Sequence, residues 1–296
     1  MGRRLILPAL FILLFCVAGC GLKNNLCSAP NIGALSYSTV QVADAELAYR
    51  VVGEGEPLLL IMGFGGTMDL WDVDMVRELA KNNQVIMFDN PGMGGSTAGP
   101  DKITITSMAG YSAGLLSALG YEKAHIFGWS MGSLIAQELA LNYPEKVNKL
   151  ILMGTACDNE PVAKITKELL AMDTKELLTH FFPKSWLDKH PDALSKLPRP
   201  KNSPNVEIIK AQGEAMINWA GTCGRLESLQ NDTLIISGMQ DDILDETLSL
   251  ELVQKVQGAW LVRFKNAAHW LMYQAPVSLA RTISTFLAVR EDMLAH

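Results

Sequence analysis

A chain of 296 residues with 49% hydrophobic and 19% charged residues has the composition of a globular domain large enough to bury a substantial core, which excludes disorder. Its formal charge of -6 offers phosphates no basic face, so nucleic acid is excluded as a partner.

The chain opens with Arg3 and Arg4, an apolar run from Leu5 to Ala18, and Gly19-Cys20. That is the pattern of a secretory signal peptide over residues 1-19. The run contains Pro8 and falls short of the roughly 20 apolar residues that span a bilayer. Val17-Ala18-Gly19-Cys20 resembles a bacterial lipobox. The resemblance implies lipidation of Cys20, which becomes the mature N-terminus and holds the domain to a membrane surface. In a Gram-negative cell Gly21, in place of aspartate, implies the outer membrane. Residues 20-36 read as a tether, with Cys27 idle in it, and residues 37-296 as the folded domain.

Strands are predicted over Ser38-Val42 and Leu47-Val52, followed by a break at Gly53-Pro57 and a strand over Leu58-Met62. A helix is predicted from Asp69 to Lys81 and a strand over Val85-Phe88. A helix follows from about Thr106 to Leu119, then a strand into Gly128 and a helix out of Ser130. After the strand Val147-Met153, no strand-like run appears from Asp158 to Thr222. Val162, Ile165 and Leu169, then Leu177, Leu178, Phe181 and Phe182, repeat there at helical spacing. Alternation resumes with a strand over Thr233-Ser237 and a helix over Ile243-Val256. A strand over Trp260-Phe264 and a helix over about Ala275-Val289 close the chain. Short apolar strands alternating with helices predict an α/β fold with a mostly parallel sheet, buried on both faces. The stretch at about 158-222 reads as a helical insertion.

Gly128-Trp129-Ser130-Met131-Gly132 spells the G-x-S-x-G nucleophile elbow in its required setting of strand, tight turn and helix. An incidental glycine-rich turn is the bland alternative for five residues alone. Three further motifs accompany it: the glycine loop Met62-Gly63-Phe64-Gly65-Gly66-Thr67, the turn Asp89-Asn90-Pro91-Gly92-Met93-Gly94-Gly95-Ser96, and the pair Gly238-Met239-Gln240-Asp241-Asp242 and Ala267-Ala268-His269-Trp270. Together they resemble the α/β-hydrolase superfamily from about Val51 to the C-terminus. The resemblance implies an eight-stranded, mostly parallel sheet flanked by helices, with the insertion as a cap over the site. It also implies Ser130 as nucleophile, His269 as general base, Asp241 as its orienting acid, and the amides of Phe64 and Met131 as the oxyanion hole. Met62 and Met93 depart from the family's pattern, each standing where a histidine is common.

Several residues compete for these roles. Asp242, Asp245 and Asp158 are alternative acids, while His125, His180, His190 and His296 are alternative histidines. Trp71, Trp186, Trp219 and Met216 are candidates to line a substrate pocket, against the commoner reading that such residues are core. Cys157 and Cys223 stand at the two necks of the insertion. A disulfide between them suits an exported protein, with two buried free thiols as the alternative. No Cys/His spacing indicates a metal, and the chemistry implied needs no cofactor. The sequence therefore predicts a membrane-anchored serine hydrolase, a carboxylesterase or lipase of small or medium acyl esters. The alternatives are a C-C bond hydrolase, a cofactor-free perhydrolase and a ligand-binding lipoprotein without catalysis.

Overall fold

The structure, a computed structural model, describes residues 36-202 and 205-290. The expected signal segment 1-19, Cys20, the tether up to residue 35 and His296 lie outside the described residues. In chain order the core carries β1 (Ser38–Val42), β2 (Ala45–Val52), β3 (Glu56–Ile61), α1 (Val73–Leu79), β4 (Asn83–Phe88), α2 (Ile105–Ala118), β5 (Ala124–Trp129), α3 (Met131–Asn142) and β6 (Val147–Met153). The insertion follows as α4 (Asn159–Ala171), α5 (Thr174–Phe181), α6 (Lys184–Leu187), α7 (Ala193–Lys196) and α8 (Val206–Ile217). The core then resumes with β7 (Thr233–Gly238), α9 (Glu246–Lys255), β8 (Trp260–Phe264), α10 (Leu271–Gln274) and α11 (Pro276–Ala288).

The eight strands form one sheet in the order β1-β2-β4-β3-β5-β6-β7-β8. The β1-β2 and β2-β4 pairs are antiparallel and every other pair is parallel. Every residue of β5 and β7 is buried, as expected of central strands covered by helices on both faces. The carboxyl ends of β3, β5, β7 and β8 therefore come out along one edge, where open α/β sheets place their ligands.

Local chemistry moves three predicted boundaries. Glu56 and Pro57 belong to β3 rather than to the preceding break. A proline is tolerated at the start of a strand, before the ladder needs its missing N–H. The helix expected over Asp69-Lys81 is a 3-10 turn at Met68–Leu70 followed by α1. Asp72 restarts it, its carboxylate accepting from the amides of Asp74 and Met75 as an N-cap. The helix expected from Ile243 begins instead at Glu246, after Asp245 caps it.

Candidate active site

The elbow forces Ser130 into a backbone conformation that L-residues avoid, with φ 56° and ψ -125°. Such strain persists only where surrounding structure overdetermines it. Here the Ser130 amide donates to Met153 O at 2.9 Å, and Ser133 Oγ donates to Ser130 O at 2.6 Å. Close approach supplies the rest: a Cβ on Gly132 would lie 2.0 Å from Ile61 O, so only glycine lets α3 pass the end of β3. The serine hydroxyl thereby stands above the sheet edge.

His269 and Asp241 reach it from the loops after β8 and β7. The two loops are fastened together, Gln240 donating its amide to Ala267 O at 2.9 Å and Met239 to Phe264 O at 3.0 Å. His269 Nδ1 lies 2.8 Å from Asp241 Oδ2, and Nε2 lies 2.9 Å from Ser130 Oγ. A carboxylate can only accept, so Nδ1 carries the proton and Nε2 is left to accept from the serine hydroxyl. The other oxygen, Asp241 Oδ1, accepts from the amides of Ile243 and Leu244 at 2.9 and 3.0 Å, which fixes the carboxylate's rotation. Ser130, Asp241 and His269 are all buried, at 6%, 4% and 3% exposure.

The competing residues lie elsewhere. The carboxylate of Asp242 faces outward to His180 Nδ1 at 2.9 Å, Asp245 caps α9 and Asp158 caps α4. His125 sits at the far end of β5 with Nε2 2.7 Å from Glu56 Oε2, and burial lowers its pKa. His190 stacks on Trp186 at 4.3 Å.

A cavity of about 30 Å³ adjoins Ser130 and His269, and its other lining residues are Phe64, Trp129, Leu169, Leu177 and Phe181. Leu169 and Leu177 arrive from α4 and α5, so the insertion roofs the site. None of the four residues nominated as pocket lining reaches this cavity. Trp71 packs against Phe127, Trp186 stacks on Phe182, Met216 is core, and Trp219 donates Nε1 to Glu138. Trp129, missed from the sequence, both lines the cavity and donates its indole N–H to His269 O at 3.0 Å. Phe181 stacks on His269 and on Trp270, with centroids 6.0 and 4.4 Å apart.

The glycine loop after β3 is held by hydrogen bonds with three side chains. Asn90 Nδ2 donates to Met62 O at 3.2 Å, and Asp89 accepts from the amides of Met68 and Gly95 at 2.7 and 2.9 Å. Burial raises the Asp89 pKa to about 6. From α8 in the insertion, Gln212 Oε1 accepts from the Gly65 amide at 2.9 Å. Phe64 lines the cavity beside Ser130, and Met131 opens α3, where first-turn amides have no intrahelical acceptor.

A model of the alpha/beta hydrolase fold matches residues 56–181. The sheet order, the elbow and the likeness to solved structures agree with it. A hydrolase from Pseudomonas aeruginosa PA01 superposes with a TM-score of 0.76 at 25% identity, covering 86% of this chain and all of that one. The chain has the α/β-hydrolase fold. Among curated relatives of this chain, the 2-hydroxymuconate semialdehyde hydrolase of Pseudomonas sp. strain CF600 is 29% identical, over 80% of this chain and 88% of that one. The 2-hydroxy-6-oxo-6-phenylhexa-2,4-dienoate hydrolase of Comamonas testosteroni is 26% identical, over 86% and 95%.

Cys157 and Cys223 are joined as a disulfide across the necks of the insertion, with Cα atoms 4.8 Å apart. They are also two of the three side chains in a possible metal cluster with Glu251. Sulfurs bonded to one another offer no thiolate, so the cluster does not fit a metal in this state.

Proposed function

We propose that the chain is a serine hydrolase of uncharged acyl esters, a carboxylesterase or lipase with small or medium acyl chains. The observation that carries this reading is the hydrogen-bonded series Ser130, His269 and Asp241, opening on a cavity whose remaining lining is apolar. In this reading Ser130 Oγ attacks the ester carbonyl while His269 Nε2 takes its proton, and Asp241 stabilises the imidazolium that forms. The amides of Phe64 and Met131 receive the oxyanion. His269 then protonates the departing alkoxide, leaving an acyl-serine that water releases by the same steps in reverse roles. The acid and base work needs no cofactor.

A second reading, hydrolysis of a C-C bond, is favoured by the names of the curated relatives, whose substrates carry carboxylates. The side chains beside Ser130 and His269 are Phe64, Trp129, Leu169, Leu177 and Phe181, apolar groups that favour a neutral acyl group next to the nucleophile. The test is a fluorophosphonate probe on the full chain, followed by a series of p-nitrophenyl esters beside a dienoate ring-fission product. Labelling at Ser130 that Ser130→Ala abolishes, with faster turnover of the esters, is the expected result. Absence of labelling in folded protein would sink the serine-hydrolase reading, and faster turnover of the dienoate would replace the ester.

The N-terminal pattern supports an exported domain tethered to a membrane through lipidated Cys20, on the periplasmic side of the outer membrane in a Gram-negative cell. Its partners in this reading are the ester and the lipid surface. Cys20→Ser is expected to release the protein from the membrane fraction, and unchanged fractionation would refute the anchor.

A further inference from the structure

The side chain of Gln212 is fully buried, and it comes from the insertion rather than from the core. Its Oε1 accepts from the amide of Gly65, the residue after Phe64 in the glycine loop, while its Nε2 has no hydrogen-bond partner. Leaving a buried donor unpaired costs about 1 to 3 kcal/mol. A position with only a packing role would be filled at less cost by leucine or methionine. The oxygen of Gln212 is committed to the Gly65 amide.

Among the described residues, the other side-chain hydrogen bonds to the glycine loop fall at its two ends, from Asn90 to Met62 O and from the Met68 amide to Asp89. Between them stands an internal turn, Gly66 donating to Gly63 O at 3.2 Å. Gln212 holds the middle of the loop, one peptide from the Phe64 amide. The cavity of about 30 Å³ is far below the ~300 Å³ at which ligand pockets begin. An ester therefore enters only when the lining opens, and three of its side chains, Leu169, Leu177 and Phe181, belong to the insertion. Among the described residues, the far part of the insertion meets the core through Asn202 Nδ2 to Gly94 O at 2.7 Å, the Lys201 amide to Asp69 Oδ2 at 2.9 Å and Gln212 beside the glycine loop, and through His180 Nδ1 with Asp242 Oδ2 at 2.9 Å and the Trp270 amide to Phe181 O at 3.1 Å on the histidine side.

We propose that Gln212 is a positioning residue that couples closure of the insertion to formation of the oxyanion hole. When the insertion lifts to admit an ester, the Gly65 amide loses its acceptor and the loop carrying the Phe64 amide relaxes. When it closes, Oε1 sets the loop again, so the oxyanion donors are aligned only over a sequestered substrate. This rests on the serine-hydrolase reading, and its test separates the two.

The full chain is compared with Gln212→Met, which keeps the volume and removes the acceptor. Gln212→Ala, which leaves room for water at the Gly65 amide, serves if the first variant does not fold. The expected result is a kcat about 10- to 100-fold lower on a short p-nitrophenyl ester, the loss that an ångström of misplacement brings, with KM changed by less than about threefold. Hydrogen exchange in peptides covering Gly63 to Thr67 is expected to quicken in the same variant, with peptides from β5 and α3 unchanged. A kcat within twofold of wild type overturns the proposal. So does a fallen kcat with unchanged exchange, since Gln212 then acts otherwise than through the loop. An inert wild type would refute the hydrolase reading by itself, and the exchange measurement would still decide whether Gln212 holds the loop.

Discussion

Asp89 carries a pH dependence whose sign and size follow from its surroundings. Its carboxyl is 2% exposed, and desolvation raises its pKa from 3.8 to about 6, against the lowering effect of the Gly95 and Met68 amides; Asp69 adds to the rise and Arg50 opposes it. The folded pKa lies above the unfolded one, so the native state holds the proton longer as pH rises. Stability from this group is complete below about pH 4, and it is lost progressively as pH rises through about 6. At about 1.4 kcal/mol per pKa unit the loss amounts to about 3 kcal/mol. Asp89→Asn removes the titration. It also faces one of the two amides with an NH2 group, a constant cost of about 1 to 3 kcal/mol that does not vary with pH. Urea unfolding of both proteins between about pH 4 and about pH 8 should therefore show the wild type losing about 2 to 3 kcal/mol relative to the variant. Burial lowers the His125 pKa, but that residue is present in both proteins and cancels. A stability difference that stays constant across the window would refute the desolvation argument.

Replacing both Cys157 and Cys223 by serine opens a bridge of sequence separation 66 and should lower the unfolding free energy by about 4 kcal/mol in the chain-entropy model; a loss under about 1 kcal/mol would mean that the bridge hardly constrains the unfolded chain. Trp129→Phe keeps an aromatic side chain but replaces the indole by a smaller ring and removes the donor to His269 O, and a drop in kcat of about tenfold with folding retained is expected, as a buried acceptor worth about 1 to 3 kcal/mol goes unpaired beside the base. Unchanged kcat in that variant would show that the carbonyl contact does not position the ring. Gly132→Ala places a Cβ 2.0 Å from Ile61 O and 2.9 Å from Met62 O; neither can yield, so thermal melting should show a variant destabilised by about 3 kcal/mol or more.

What the sequence makes legible depends on whether a residue's partner is local. Ser130 announces itself because strain, glycines and helix start all fall within five residues. The positions of the central strands are equally readable, since β5 and β7 are buried on both faces and need continuous apolar runs. Asp241 is separated from Asp242 and Asp245 only in space, where Asp241 turns inward to accept from the Ile243 and Leu244 amides. Those two apolar residues read as the start of a helix, yet their amides are already spent on the carboxylate, and α9 begins three positions later. Gln212 gives no signal at all: its partner, Gly65, is 147 residues away, and an isolated glutamine in an amphipathic helix looks like any surface residue. Trp129 occupies the variable position of the elbow, where its bond to a carbonyl 140 residues on leaves no trace in the pattern.

The elbow helix explains how a roof can move without disturbing the nucleophile beneath it. Ser130 stands at the head of α3, and two turns on Gln137 donates Nε2 to Thr155 Oγ1 and Ala156 O at 2.9 and 3.0 Å, on the outgoing neck of the insertion, while accepting from Thr222 Oγ1 on the returning one. The next residue, Glu138, is 2% exposed and accepts through Oε1 from Trp219 Nε1 at 2.9 Å and Arg225 at 2.6 Å. The disulfide joins the same two strands of chain. Both necks are thus fixed to the helix that holds the serine, whereas the hydrogen bonds that Lys201, Asn202 and Gln212 make around the glycine loop are single contacts worth about 1 kcal/mol each. Displacement must therefore concentrate at the far end, over the glycine loop. It follows that substitutions at the necks should appear as lost stability, and substitutions at the far contacts as lost turnover in a protein that still folds.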